Sequence, residues 1–165
     1  MALTVQTVTG PVSTAELGTA FMHEHTFAAT PGLYTSYPQL YHREQLLATT
    51  IDKLKQAASR GLNTLVDMSP ADFHRDVELV REASLASGVK IIHATGVYNR
   101  TTLFFSSQSP DRLAELFIGD IMEGMGETGI RAGILKCATG PEGVTSSNEE
   151  HLRAVARAHR ATGVP

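Results

Sequence analysis

Strand-like and helix-like stretches alternate four times along these 165 residues, and that order constrains the fold more than any other feature. Residues 19–25, 62–67, 89–95 and 132–137 are short and largely apolar. Spans 43–59, 72–87, about 110–127 and 148–162 carry apolar residues at helical spacing, and Gly61, Gly88, Gly129 and Gly163 stop them. Repeated strand–helix order predicts a parallel sheet with helices outside it. The strands do not alternate in polarity, as expected when both faces are covered.

Four such units are half of a closed barrel, which takes eight and about 250 residues. The expected fold is therefore α/β: the N-terminal half of a (β/α)8 barrel, or a flat doubly wound sheet. Residues 1–165 form one domain on this reading, because no low-complexity linker interrupts the pattern. A short strand over 3–9 precedes it and turns at Gly10-Pro11, and Ser13 to Glu16 has capping-box form that opens one helical turn.

Charge and cysteine content narrow the function. Fourteen basic against 17 acidic residues give a net charge of −3, with no basic field for nucleic acid or anionic lipid. Cys137 is the single cysteine, so no internal disulfide and no cysteine-rich zinc module is expected. No apolar run reaches the roughly 18 residues of a membrane span. The start of the chain lacks the basic and apolar regions of a secretory signal, so a cytoplasmic protein is expected.

In parallel α/β proteins, chemistry collects at the carboxyl ends of the strands. His23-Glu24-His25 ends the first. Alternation turns both imidazoles to one face and Glu24 to the other, where a buried ion pair or hydrogen bond is expected of it. Two imidazoles so placed can grip a divalent metal. Asp67 ends the second strand, as a support for such a site or a loop cap. Thr95 and Tyr98 follow the third. Lys136 ends the fourth, on the face of Ile134 and away from Leu135 and Cys137. A lysine facing a barrel interior is unfavourable unless paired or chemically altered. A neutral amine there can take up carbon dioxide and become an anionic oxygen ligand.

Other residues have plainer readings. His93 reads as a satisfied core histidine, and His42, His74, His151 and His159 as solvent-facing. Cys137 reads as a buried, inert thiol. Residues 26–42 form a long aromatic loop in which Tyr34, Tyr37 and Tyr41 serve as lid, dimer contact or loop packing.

Residues 10–25, ending in Phe-Met-His-Glu-His, resemble the opening of the phosphotriesterase family of amidohydrolases. Residues 132–140 resemble its fourth strand, which carries a bridging carboxylated lysine. Residues 94–98, Ala-Thr-Gly-Val-Tyr, are similar to the third-strand segment of the phosphotriesterase-like lactonases. The resemblance implies a TIM barrel with two divalent metals, usually zinc, sometimes iron, cobalt or manganese. It implies His23 and His25 as ligands of the more buried metal, Lys136 as the catalytic bridge, and Tyr98 as a pocket wall. A metal-bridged hydroxide would attack a lactone carbonyl or a phosphotriester. The family's remaining ligands come from strands five, six and eight, so this chain would hold three of six and be weakly active or inactive alone. A homo-oligomer or a complementary C-terminal half is the expected partner. Two other readings stay open: a self-associating half-barrel module, and an amidohydrolase acting on amides or sugar lactones.

Overall fold

The computed structural model describes residues 3–98 and 102–165; part of the Ser/Thr-rich loop expected after Tyr98, and the first two residues, lie outside these. Strands β1 (Thr4–Thr7) and β2 (Gly10–Ser13) form an antiparallel hairpin. Ser13 then caps a 3-10 turn over Thr14–Glu16 by accepting from the Ala15 amide, so the single turn expected there is present. The central sheet holds β3 (Ala20–Glu24), β4 (Thr64–Asp67), β5 (Lys90–Gly96) and β6 (Ile134–Lys136). All are parallel and lie side by side in chain order.

Among the described residues, six α-helices accompany the strands: α1 (Leu33–Ser36), α2 (Arg43–Ala58), α3 (Val77–Ser87), α4 (Leu103–Ser106), α5 (Pro110–Met122) and α6 (Ser146–Thr162). α2 packs on α3 and α5 on α6. Expected starts and stops shift for identifiable reasons. α3 begins at Val77, five residues later than expected, because Asp76 accepts from the Leu79 amide and caps it there. α6 opens with a reciprocal capping box between Thr145 and Asn148. α5 stops at Met122, ahead of Gly124 and Gly126, both at positive φ.

Register separates the two faces of the sheet. Leu65 pairs with Ile91, and both join Leu135 in the core beneath the helices. Val66 pairs with Ile92, Ala94 with Ile134 and Gly96 with Lys136, so these six residues line the opposite, inner face. The β1–β2 hairpin closes the amino-terminal end of the sheet. The Val8 amide donates to the Ile91 carbonyl, and the Gln6 carbonyl sits where a Cβ on Gly133 would be, 2.1 Å from it. Beside β6, the Leu135 amide donates to the Pro165 carbonyl at 2.7 Å. No described helix is long and apolar enough to cross a membrane.

Candidate functional site

β3 carries a register irregularity between Phe21 and Glu24. Phe21 pairs with Leu65 and Glu24 with Asp67, so two residues of β3, Met22 and His23, oppose one of β4, Val66. Glu24 thus shares the outer face of Asp67. It is not the buried acceptor expected of it: β3 is an edge strand, and Glu24 is exposed, lining a groove of about 400 Å³ with Lys53 and Leu54 of α2. The rings of His23 and His25 meet edge to face, with centroids 5.4 Å apart.

Asp67 fixes the exits of two strands with one carboxylate. One oxygen accepts from the Thr26 amide at 3.1 Å, the other from the Ser69 amide at 3.0 Å. The Ser69 hydroxyl in turn meets Nδ1 of His25 at 2.9 Å. Asp67 is therefore a support behind His25, one of the two roles expected of it. The His25 pKa lies below its ordinary value. Partial burial is the main cause, and the charges of His23 and Lys136 add to it against the pull of Asp67.

Lys136 is 8% exposed and, among the described residues, pairs with no carboxylate. Its Nζ stands 5.4 Å from the centre of the Tyr98 ring. Tyr98 is half-buried. Its amide donates to both oxygens of Asp72, at 3.1 and 3.0 Å, and its ring lies 5.0 Å from that of Phe73. Phe73 also meets the His25 ring at 5.3 Å. Burial raises the Asp72 pKa, against the pull of the Tyr98 amide. Phe73, against the rings of both His25 and Tyr98, and Lys136 Nζ over the Tyr98 ring bring His25, Lys136 and Tyr98 to one end of the sheet. Among the described residues, no three His, Cys, Asp or Glu side chains converge as a metal-holding group. The third expected ligand is a lysine, which lies outside that donor set.

The segment after β4 does more than its composition suggests. Following Asp72 and Phe73, His74 adopts left-handed φ +49° and meets Phe27 and Tyr34 of the aromatic loop. Arg75 pairs with Asp120 of α5 at 2.8 Å, and Asp120 also accepts from the Thr95 hydroxyl at 2.5 Å. Asp76 accepts from the Tyr41 hydroxyl; burial first, then this carboxylate, push the Tyr41 pKa upward. Periodicity alone assigns residues 72–76 to helix and hides their tertiary roles. Ser69-Pro70 followed by Asp72 was the available signal, since a proline and a short acid mark a turn.

The remaining histidines divide. His93 is buried as expected, but among the described residues only Nδ1 has a partner, the Ala94 carbonyl at 3.0 Å, and Nε2 has none. His42 and His159 are exposed, His74 is half-buried in the aromatic cluster, and His151 is 1% exposed rather than solvent-facing. Cys137 is half-buried, and burial raises its thiol pKa, which favours the unreactive form.

Comparison with known proteins agrees with this arrangement. The phosphotriesterase family model matches residues 3–165. A phosphotriesterase homology protein of Mycobacterium tuberculosis is 36% identical over 171 residues, covering 98% of this chain and 52% of that protein. An aryldialkylphosphatase of Saccharolobus solfataricus is 30% identical, over 93% of this chain and 50% of its own. An N-acetyltaurine hydrolase of Xenopus tropicalis is 25% identical, over 98% and 54%. The solved structure of the phosphotriesterase from Mycobacterium tuberculosis superposes with a TM-score of 0.90 at 35% identity, covering 99% of this chain and 53% of that one. The chain thus spans about half the length of the relatives it matches, and its curled four-stranded sheet corresponds to the N-terminal half of their TIM barrel. It belongs to the phosphotriesterase family, a family of metal-dependent hydrolases.

Proposed function

We propose that this chain carries His23, His25 and Lys136 as ligands of a divalent-metal hydrolase site, with Tyr98 as a wall of its substrate pocket. One observation carries the reading: two histidines and a buried lysine that, among the described residues, forms no ion pair lie at the carboxyl end of one sheet, linked through the rings of Phe73 and Tyr98. The donors fit the group. With Nδ1 of His25 donating to Ser69, Nε2 keeps the lone pair a metal needs. Two imidazoles and one carbamate oxygen suit zinc, with iron, cobalt or manganese as alternatives. Carbon dioxide adds to the neutral Lys136 amine, forming the N–C bond and releasing one proton. A bound metal would supply Lewis-acid polarisation of an ester oxygen.

The chain's own residues do the rest. Ser69 orients His25. Tyr98 and Phe73 give an apolar wall for the acyl part of a lactone, and the loop carrying Phe27, Tyr34 and Tyr41 shields that side from water. Lactones are the favoured substrates, with aryl dialkyl phosphates as a side activity. Residues 1–165 act as one cytoplasmic domain, and turnover depends on a complementary half or a second copy. The exposed Phe21 and Met22 on edge strand β3 favour a second reading, self-association as a half-barrel module. The N-acetyltaurine hydrolases among the relatives favour a third, amide substrates.

Metal content and intact mass test the site together. The native chain should take up zinc and show a carbon dioxide adduct that disappears in Lys136→Ala. His23→Ala/His25→Ala should abolish uptake, and Ser69→Ala should weaken it about 10–100-fold. Native uptake no greater than that of the double variant would sink the assignment. Sedimentation decides the self-association reading, which a strictly monomeric chain overturns.

A further inference from the structure

We infer that Asp72 is a positioning residue for this site: it holds Tyr98 so that the ring covers Lys136. The inference rests on reading Lys136 and Tyr98 as site residues.

The chain leaves β5 at Gly96, and the next two amides set its course. The Val97 amide donates to the Lys136 carbonyl at 3.1 Å, still within the sheet. The Tyr98 amide turns instead to the Asp72 carboxylate, which accepts it on both oxygens. Side-chain direction follows from the orientation of these two peptides. The Tyr98 ring then has Phe73 against it at 5.0 Å and Lys136 Nζ at 5.4 Å. Asp72 and Phe73 are adjacent, so one short turn grips both the main chain and the ring of Tyr98. Because Phe73 also meets His25 at 5.3 Å, the same turn sets Tyr98 relative to the histidine side of the site.

Asp72 also takes its own backbone amide as a cap on its turn, but that is not its whole reach. Its side chain reaches a residue 26 positions away, at the end of another strand. Burial makes that reach consequential, since a partly desolvated carboxylate depends on the amides it accepts, and among the described residues the Tyr98 amide donates to Asp72 alone.

The ring of Tyr98 leaves a signature on Lys136 that needs neither metal nor turnover. An aromatic ring shifts the NMR signals of protons lying over its face. The Lys136 ε-methylene protons of the metal-free chain should be displaced upfield, and Tyr98→Leu should return them to the ordinary lysine position. Asp72→Ala should lose the displacement as Tyr98→Leu does. Asp72→Asn, whose amide oxygen still accepts from the Tyr98 amide, should keep most of it. Should the alanine variant fail to fold, Asp72→Ser replaces it, polar but too short to reach. A displacement that survives Asp72→Ala or Asp72→Ser overturns the inference, and so does its equal loss in Asp72→Asn. Metal uptake is measured separately. A chain with the displacement but no uptake disproves the metal site while leaving the positioning role standing.

Discussion

β3 and β5 belong to one sheet and both deliver residues to the candidate site, yet their surroundings are opposite. From Ile91 to Gly96, every residue of β5 is buried. On β3, Phe21 is 51% and Met22 64% exposed, and His23 and Glu24 are exposed as well. β5 has neighbours on both edges and a helix layer behind it. β3 has β4 on one edge and, among the described residues, no strand on the other. The Tyr98 side of the site thus leaves packed structure, and Lys136 is buried although β6 is the last strand of the described sheet. The His23–His25 side hangs on Asp67 and Ser69, whose bonds reach across from β4.

Substitution at the packed seam should have the largest effect. Gly96 has φ +123°, and a Cβ there would lie 2.0 Å from the Lys136 carbonyl oxygen, which takes part in the β5–β6 pairing. Gly96→Ala combines backbone strain with overpacking against a main chain that cannot swing aside, together roughly 2–6 kcal/mol. Gly32, at φ +80° with nothing within 4 Å of its Cβ position, supplies the control; Gly32→Ala carries strain alone, about 1–3 kcal/mol. Urea unfolding of both variants checks this. Equal losses would mean that the β5–β6 seam is as yielding as the loop.

Truncation compares the strands directly. Ile91 is 0% exposed, and Ile91→Ala should cost about 2–5 kcal/mol. Phe21→Ala removes a larger side chain, but one half in water with the open groove beside it. The expected change is within about 1 kcal/mol. A loss from Phe21→Ala matching that from Ile91→Ala would show that the outer side of β3 is covered in solution, which is what self-association predicts.

The same contrast explains what could be read from sequence. The packed side was legible: glycine-stopped helices and unalternating apolar runs dictate a two-sided sheet, and alternation placed Lys136 opposite Leu135. The face of the histidines came out as expected although β3 departs from strict alternation, because the irregularity falls before Glu24 and leaves Glu24 on the outer face of Asp67. What failed depended on neighbours distant in sequence. Glu24 was expected to find a buried partner, but that requires an element outside β3. His151 sits at an ambiguous position near the start of α6, and only the packing of α6 on α5 decides that it points inward. Phe73 stands at helical spacing from Val77 and Val80, so the pattern runs on through residues 72–76 and hides the tertiary partners of Asp72, Arg75 and Asp76.

Acid should separate the two sides least strongly, through His151. Burial holds its pKa below the ordinary 6.5. A histidine whose folded pKa is depressed binds fewer protons folded than unfolded as the pH falls below the unfolded value. Its contribution is therefore complete above about pH 6.5 and is lost on acidification, at up to about 1.4 kcal/mol per pH unit until the folded pKa is passed. His25 and His93 shift in the same direction, so the whole chain should lose stability towards about pH 5. The share of His151 is isolated by comparing slopes. His151→Gln should flatten the dependence of urea midpoint on pH whatever it does to stability at neutral pH. Parallel slopes for native chain and His151→Gln would place the acid sensitivity in the sheet, with His25 and His93, rather than in the helix layer behind β6.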